Sequence, residues 1–298
     1  MTRRSVLFTP GDRQQMLERA AETSADVLVF DLEDGVAADR TAAARRTVVE
    51  VLESSAFDPA ADVFVRVNAP DQLRRDAQNA SAPWDRVRED LAAVASVSDA
   101  LDGVVAPKVE SASTVRRLAA HLRRHGLPRR VVALIETPRG VLSAEDVAAV
   151  GATDALAFGA EDLAARLGAT RTDDGAEVSY ARQRVVTAAR ANGVAAIDTL
   201  WTAYEDLDGL RADAERAIGL GFDGKLAIHP DQVEPINRAF APNDDEIEWA
   251  RRVCAASEAE GDDGRGAFAV DGEMIDAPLV AQAERILERA SAADSTDE

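Results

Sequence analysis

Val131-Val132-Ala133-Leu134-Ile135-Glu136-Thr137-Pro138 is the stretch that settles how this chain folds. Five apolar residues run without a polar break, an acid follows, and then Thr-Pro. An unbroken apolar run of this length marks a strand covered on both faces, as in a parallel sheet. Thr137 supplies a side-chain cap and Pro138 suits the first helical position, so a helix follows at once. The succession of strand, acid and helix recurs on either side. Ala155-Leu156-Ala157-Phe158-Gly159-Ala160 leads to Glu161-Asp162, and Val27-Leu28-Val29-Phe30 leads to Asp31, Glu33 and Asp34. Acids that repeatedly end buried strands are costly unless something positive lies between them.

Working outward, eight apolar runs are predicted as strands: 4–9, 26–32, 62–68, 102–107, 130–136, 153–158, 194–198 and 222–228. Amphipathic segments rich in Ala, Arg and Glu follow nearly all of them: 13–24, 40–54, 84–97, 112–125, 141–149, 179–192, 203–219 and 231–239. Asp12 before Arg13-Gln14-Gln15 has the form of an N-cap with Gln at the third position. Eight β–α units in this length fit a (β/α)8 TIM barrel better than an open doubly wound sheet. No Gly-x-Gly-x-x-Gly follows the first strand, which weakens a dinucleotide-binding fold. The barrel is expected over 1–240. Beyond it, 241–298 form a C-terminal extension: a helix to about Glu260, a turn-rich Gly261–Gly266 stretch, a hairpin about Asp271-Gly272, and a last helix from about Pro278 to Ala290. This extension is expected to act as a lid or oligomerisation arm. The tail Asp294–Glu298 is expected to lack order.

Composition narrows the function. The net charge of −20 disfavours nucleic acid as a partner, because phosphate binding wants a basic face. Its acids are spread along the helices, as in Asp244-Asp245-Glu246-Ile247-Glu248. That fits a solvated surface adapted to high salt, or else an acidic interaction surface. Of 34 Lys and Arg, only Lys108 and Lys225 are lysine. Low Lys with high Asp and Glu is a halophile-type composition, and it suggests that these two lysines do what Arg cannot. No apolar run approaches the roughly 20 residues of a membrane span. The single Cys254 excludes an intramolecular disulfide framework. A cytoplasmic protein is expected.

In a barrel the strand ends converge on one face, where active sites sit. Glu136 and Asp162 are the strongest metal candidates, since Mg²⁺ takes one or two carboxylates and keeps water and substrate oxygens. An Arg partner for one of them is the alternative. Three scattered His and one Cys form no zinc cluster. Arg66 ends Val63-Phe64-Val65 and could clamp a carboxylate or stabilise an enolate, or it could pair structurally with Asp31 or Glu33. His229 could serve as a base or merely position a loop.

At these residues the chain resembles the family of the citrate lyase β subunit, malyl-CoA lyase and citramalyl-CoA lyase. The resemblance rests on Arg4-Ser5-Val6-Leu7-Phe8-Thr9-Pro10-Gly11, Asp31-Leu32-Glu33-Asp34-Gly35-Val36, Val65-Arg66-Val67-Asn68 and Pro107-Lys108-Val109-Glu110. It continues through Ile135-Glu136-Thr137-Pro138-Arg139-Gly140, Phe158-Gly159-Ala160-Glu161-Asp162-Leu163, Ile228-His229-Pro230, Gly266-Ala267-Phe268 and Met274-Ile275-Asp276-Ala277-Pro278. Seven ordered motifs and a matching C-terminal stretch make it specific.

The resemblance implies a Mg²⁺-dependent barrel lyase acting on 3-hydroxyacyl-CoA thioesters, with Glu136 and Asp162 as metal ligands. Glu33 matches an acid that holds a metal-bound water. Arg66 matches the arginine facing the thioester oxygen and keto acid. Asp276 matches a lid aspartate that reaches a neighbouring subunit's site, so a homotrimer or homohexamer is implied. Phe8, Arg13, Arg19, Ile228 and Pro230 fall where relatives hold CoA. Trp201 stands where relatives often carry Tyr or Phe, near the expected pocket mouth. The implied reaction is reversible C–C cleavage to a 2-oxo acid and an acyl-CoA, with Arg66 stabilising the enolate and Asp276 moving its proton. The halophile-type composition favours malyl-CoA or β-methylmalyl-CoA with glyoxylate as product. Citramalyl-CoA lyase, malyl-CoA thioesterase, a citrate lyase β subunit and a non-catalytic assembly subunit are the alternatives.

Overall fold

Eight parallel strands hydrogen-bond in chain order and close on themselves in the computed structural model, which describes residues 3–70, 83–260 and 267–294. They are β1 (Ser5–Pro10), β2 (Val27–Asp31), β3 (Asp62–Arg66), β4 (Gly103–Ala106), β5 (Val131–Ile135), β6 (Thr153–Phe158), β7 (Ala195–Asp198) and β8 (Gly224–Ala227). All lie within the expected bounds except β1, which is displaced by one residue. β8 pairs with β1 and seals the barrel, giving the (β/α)8 architecture. The interior is filled by Val6, Val29, Phe64, Val105, Leu134, Ala157, Ile197 and Leu226 among others, so the centre is packed rather than open.

Two helix expectations are corrected. The segment after β5 is two short helices, Pro138–Leu142 and Ala144–Ala148, not one helix over 141–149. Its start is as expected, with Thr137 Oγ1 accepting from the Gly140 N–H at 2.9 Å. The expected Asp12 cap is absent. The first helix, Gln14–Ala20, has Arg13 at its N-cap without a side-chain bond. Asp12 pairs with Arg40 at 2.8 Å instead.

Outside the barrel wall, Lys225 of β8 is fully buried. Its ammonium reaches Asp198 of β7 at 3.0 Å and Asp213 of the helix Leu207–Leu220 at 2.5 Å. Arg182, on the helix Ser179–Ala191, meets the same two carboxylates at 2.5 and 3.1 Å. Two cations thus neutralise two buried acids and fasten two helices to two strands. Lys, as a compact charge on a flexible stem, fits the narrow space beneath them.

The chain falls into two compact units, Arg3–Asn237 and one beginning at Arg238. In the second, the helices Asp244–Glu260 and Ala277–Asp294 pack with β9 (Ala267–Val270) and β10 (Glu273–Asp276) around Ala250, Val253, Ile275, Ala283 and Ile286. Asp271 and Gly272 both take positive φ, 51° and 86°, as a two-residue primed hairpin turn requires. The turn-rich stretch 261–266 and the tail beyond 294 lie outside the described residues. Among the described residues, no helix is long and apolar enough to cross a membrane.

Candidate active site

The strand register brings the site together before any side chain is considered. Asp31, the last residue of β2, lies beside Arg66, the last of β3. Ile135 of β5 lies beside Phe158 of β6, which sets Glu136 next to Gly159. A cavity of about 350 Å³ opens there, lined by Phe8, Asp31, Asp34, Arg66, Leu134, Glu136, Asp162, Leu200, Leu226 and Ile228 among others. This volume suits a small acyl group with its polar anchors.

Glu136 is 5 % exposed. One carboxyl oxygen accepts the Lys108 N–H at 2.8 Å, and the other lies against Gly159, where an added Cβ would come within 2.6 Å. Gly159 is thus required for the acid to fit. Burial, reinforced by the nearby Asp162 and Glu33 charges and opposed by Lys108 and Arg66, pushes the Glu136 carboxyl up to about 8.

Asp162 is not at a strand end. It sits in the first turn of the helix Ala160–Leu167, which the hydrophobic pattern did not predict because the helix is only eight residues long before Gly168 ends it. Acids are favoured at a helix N-terminus, where the macrodipole is positive. The Thr199 hydroxyl accepts the Ala160 N–H at 3.0 Å and fixes where this helix begins.

Arg66 is gripped by both oxygens of Asp31 at 2.6 Å and reaches Glu33 at 3.4 Å. The ion pair among the sequence alternatives for Arg66 is therefore present, and the residue also lines the cavity with its guanidinium 5.1 Å from the Phe8 ring centre. Burial works against its charge, but the Asp31 bonds outweigh it and raise its pKa. Glu33 is buried and held by Lys108, and burial outweighs its cationic neighbours to raise its pKa. For Asp34, burial raises the pKa but the Lys108 and Glu33 bonds prevail, leaving it lowered.

Lys108 had no assigned role, and it proves to be the hub of this acidic group. Its ammonium contacts Glu33, lies 2.5 Å from Asp34 and 3.4 Å from Asp162. The available signal was lysine scarcity. Asp31, the clamp on Arg66, was also missed as a functional residue.

The other sequence candidates disperse. Ile228 borders the cavity, whereas Arg13, Arg19 and Pro230 are exposed and do not line it. Trp201 is absent from the lining too. Its ring lies against Gly209 at the start of the next helix, and Leu200 faces the cavity in its place. His229 stacks on Tyr204 at 5.1 Å and accepts the Asp231 N–H at 3.3 Å, a loop-positioning arrangement. Asp276 lies exposed in the C-terminal unit, accepting the Leu279 N–H at 3.3 Å.

The donor set fits a hard dication. The cluster offers carboxylate oxygens alone, one of them buried without a full countercharge, which suits Mg²⁺ and not a thiophilic metal. Among the described residues, no group of three or more His, Cys, Asp or Glu forms a protein-only cage.

Comparison with known proteins agrees with this geometry. Residues 4–230 match the model of the HpcH/HpaI aldolase/citrate lyase family. The citrate lyase subunit beta-like protein of Deinococcus radiodurans is 38% identical over 95% of this chain and 96% of its own. The mitochondrial citramalyl-CoA lyase of Homo sapiens is 32% identical over 95% of this chain and 84% of its own. The crystal structure of CitE from Mycobacterium tuberculosis with magnesium, acetoacetate and coenzyme A superposes with a TM-score of 0.78 at 36% identity, covering 97% of this chain and 98% of that one. With the barrel and these relatives in agreement, the chain belongs to the HpcH/HpaI aldolase/citrate lyase family, whose members include carbon–carbon lyases.

Proposed function

We propose that this protein is a Mg²⁺-dependent lyase that splits malyl-CoA or β-methylmalyl-CoA into glyoxylate and acetyl-CoA or propionyl-CoA. One observation carries the proposal: Glu136, Asp162 and the clamped Arg66 share one cavity with apolar walls. Glu136 and Asp162 would hold the ion. Bound there, Mg²⁺ supplies Lewis-acid polarisation of the substrate's hydroxyl or keto oxygen. Arg66, fixed by Asp31, offers guanidinium N–H groups to the charge that develops on the thioester oxygen as the C–C bond breaks. Glu33, beside Arg66 and Lys108, would hold a metal-bound water. Phe8 and Ile228 would carry part of the CoA arm, with Arg13 and Arg19 as exposed cations within reach of its phosphates.

Glyoxylate is favoured over pyruvate because Phe8, Leu134, Leu200 and Leu226 all crowd the cavity. Trp201 takes no part in this crowding, because it does not line the cavity. A methyl group in a pocket is worth roughly 1–3 kcal/mol. Condensation with acetyl-CoA should therefore run at least about tenfold faster in kcat/KM with glyoxylate than with pyruvate. A pyruvate preference would identify a citramalyl-CoA lyase instead, and release of free CoA without a 2-oxo acid a thioesterase.

Asp276, in this proposal, completes the site of a neighbouring subunit in a trimer or hexamer. Mixing Asp276→Asn with Arg66→Ala under subunit exchange should restore part of the activity that each lacks alone. No recovery despite exchange would rule out sharing.

The halophilic part of the proposal rests on the charge of −20. Self-repulsion among exposed acids is screened at molar salt, where the Debye length falls to about 3 Å. Melting temperature should rise steeply from dilute buffer to molar KCl. A flat or falling profile would remove this part.

A further inference from the structure

The chain spends two lysines among 34 cations, and both are buried. Lys225 is explained by the helix–strand network. Lys108 is a different matter, because two residues beyond β4 it takes φ at +53°, a left-handed backbone that non-glycine residues seldom adopt. Such conformations persist where the surroundings over-determine them, and they cluster at functional sites.

The effect of this backbone is to aim two groups of one residue at one acidic cluster. The N–H donates to Glu136 at 2.8 Å. The ammonium touches Glu33, lies 2.5 Å from Asp34, and reaches Asp162 at 3.4 Å. The last contact is the longest, and its acid is the more exposed partner of the proposed metal pair, with 38% of the side chain accessible against a buried Glu136. An ammonium is compact and has three rotatable donors, so it can serve three carboxylates from one point and let go of one.

We infer that Lys108 is a positioning residue of the metal site: its N–H orients Glu136, and its ammonium stands in for the divalent ion, gathering Glu33, Asp34 and Asp162 and yielding Asp162 when the ion binds. The inference rests on the Mg²⁺ assignment proposed above. It gives the site a protein-supplied cation that keeps the acids together in the metal-free state. It also makes Lys108 a competitor of the metal, which no purely structural brace would be.

That competition sets the sign of the test. Mg²⁺ alone is titrated calorimetrically into wild type, Lys108→Met, Lys108→Asn and Lys108→Arg, and each is melted with and without Mg²⁺. Removing the ammonium leaves the carboxylates more negative, so Lys108→Met and Lys108→Asn should bind Mg²⁺ roughly tenfold tighter. Both should melt below wild type without metal and recover when Mg²⁺ is added. Asn tolerates the left-handed backbone, so agreement between the two variants assigns the effect to charge. Lys108→Arg keeps the charge and should stay near wild-type affinity.

Unchanged or weaker binding by the neutral variants overturns the inference and leaves the Mg²⁺ assignment standing. So does a neutral variant that stays unfolded in saturating Mg²⁺, because the ion should replace the ammonium. Absence of Mg²⁺ binding by wild type is distinguishable, since it removes the metal assignment itself and the inference with it.

Discussion

Glu136→Gln should abolish Mg²⁺-dependent turnover while leaving the fold intact. Gln keeps the size of Glu, and its carbonyl oxygen can still accept the Lys108 N–H that Glu136 now accepts at 2.8 Å. What disappears is the charge that would hold the ion. Lewis-acid stabilisation is worth several kcal/mol, so kcat should fall by about a thousandfold or more. Stability should move the other way. Burial pushes the Glu136 carboxyl up to about 8, and a neutral isostere removes the cost of keeping a charge there. The metal-free melting temperature should therefore equal or exceed that of wild type. Asp162→Asn should lose turnover to a similar degree with a smaller effect on melting, since Asp162 is partly exposed. The check is kcat as a function of Mg²⁺ concentration, beside thermal melts of the same preparations. Near wild-type turnover at limiting Mg²⁺ in either variant would disprove the ligand assignment.

Lys225→Met is the substitution expected to cost the most stability. Asp198 would face Arg182 alone, and Asp213 would keep only Arg182 and the partly exposed Arg216, with the space of the lost ammonium fully buried. Breaking a buried pair by removing one partner costs about 3–5 kcal/mol. For a chain of this size that corresponds to a fall in melting temperature of about 10 °C. Added salt should not restore it, because buried pairs are screened much less than surface ones. The network also shapes the response of wild type to acid. Burial raises the Asp213 pKa, but Lys225 and Arg182 outweigh it and hold the carboxyl below its ordinary value. A depressed carboxylate contributes stability that is fully present above its unfolded pKa of about 3.9 and is lost as pH falls through the lower folded value. The contribution of Asp213 should thus persist to about pH 4 and vanish below it, and Lys225→Met should show less of that loss. Chemical denaturation of both proteins between pH 3 and pH 7 would measure this. A destabilisation under about 1 kcal/mol at neutral pH would mean that the network is not a fastening.

These expectations draw on two levels of information. Local order along the chain determined the barrel. Continuous apolar runs set the strands, Thr137-Pro138 set a helix start, and the acids after β2 and β5 marked the functional end, because each signal involves neighbours a few residues apart. The same locality exposed the hairpin at Asp271-Gly272. The site's electrostatics come from elsewhere. Lys108 meets Glu33 across 75 residues of chain, Arg66 meets Asp31 across 35, and Lys225 meets Asp198 across 27. No periodicity encodes such contacts, so the sequence left open whether Arg66 pairs with an acid, and the structure shows that pairing in a residue that also lines the cavity. Trp201 illustrates the remaining gap. One residue of difference decides whether Leu200 or Trp201 faces the cavity, and that choice falls to the loop's packing against Gly209 and its hydrogen bond from Gln232 to the Trp201 carbonyl. Sequence thus determined the strands and which acids follow them at the mouth of the barrel. Only the tertiary structure decided which charges meet there, because those pairings exist only once strands distant in sequence lie side by side in register or face each other across the barrel mouth.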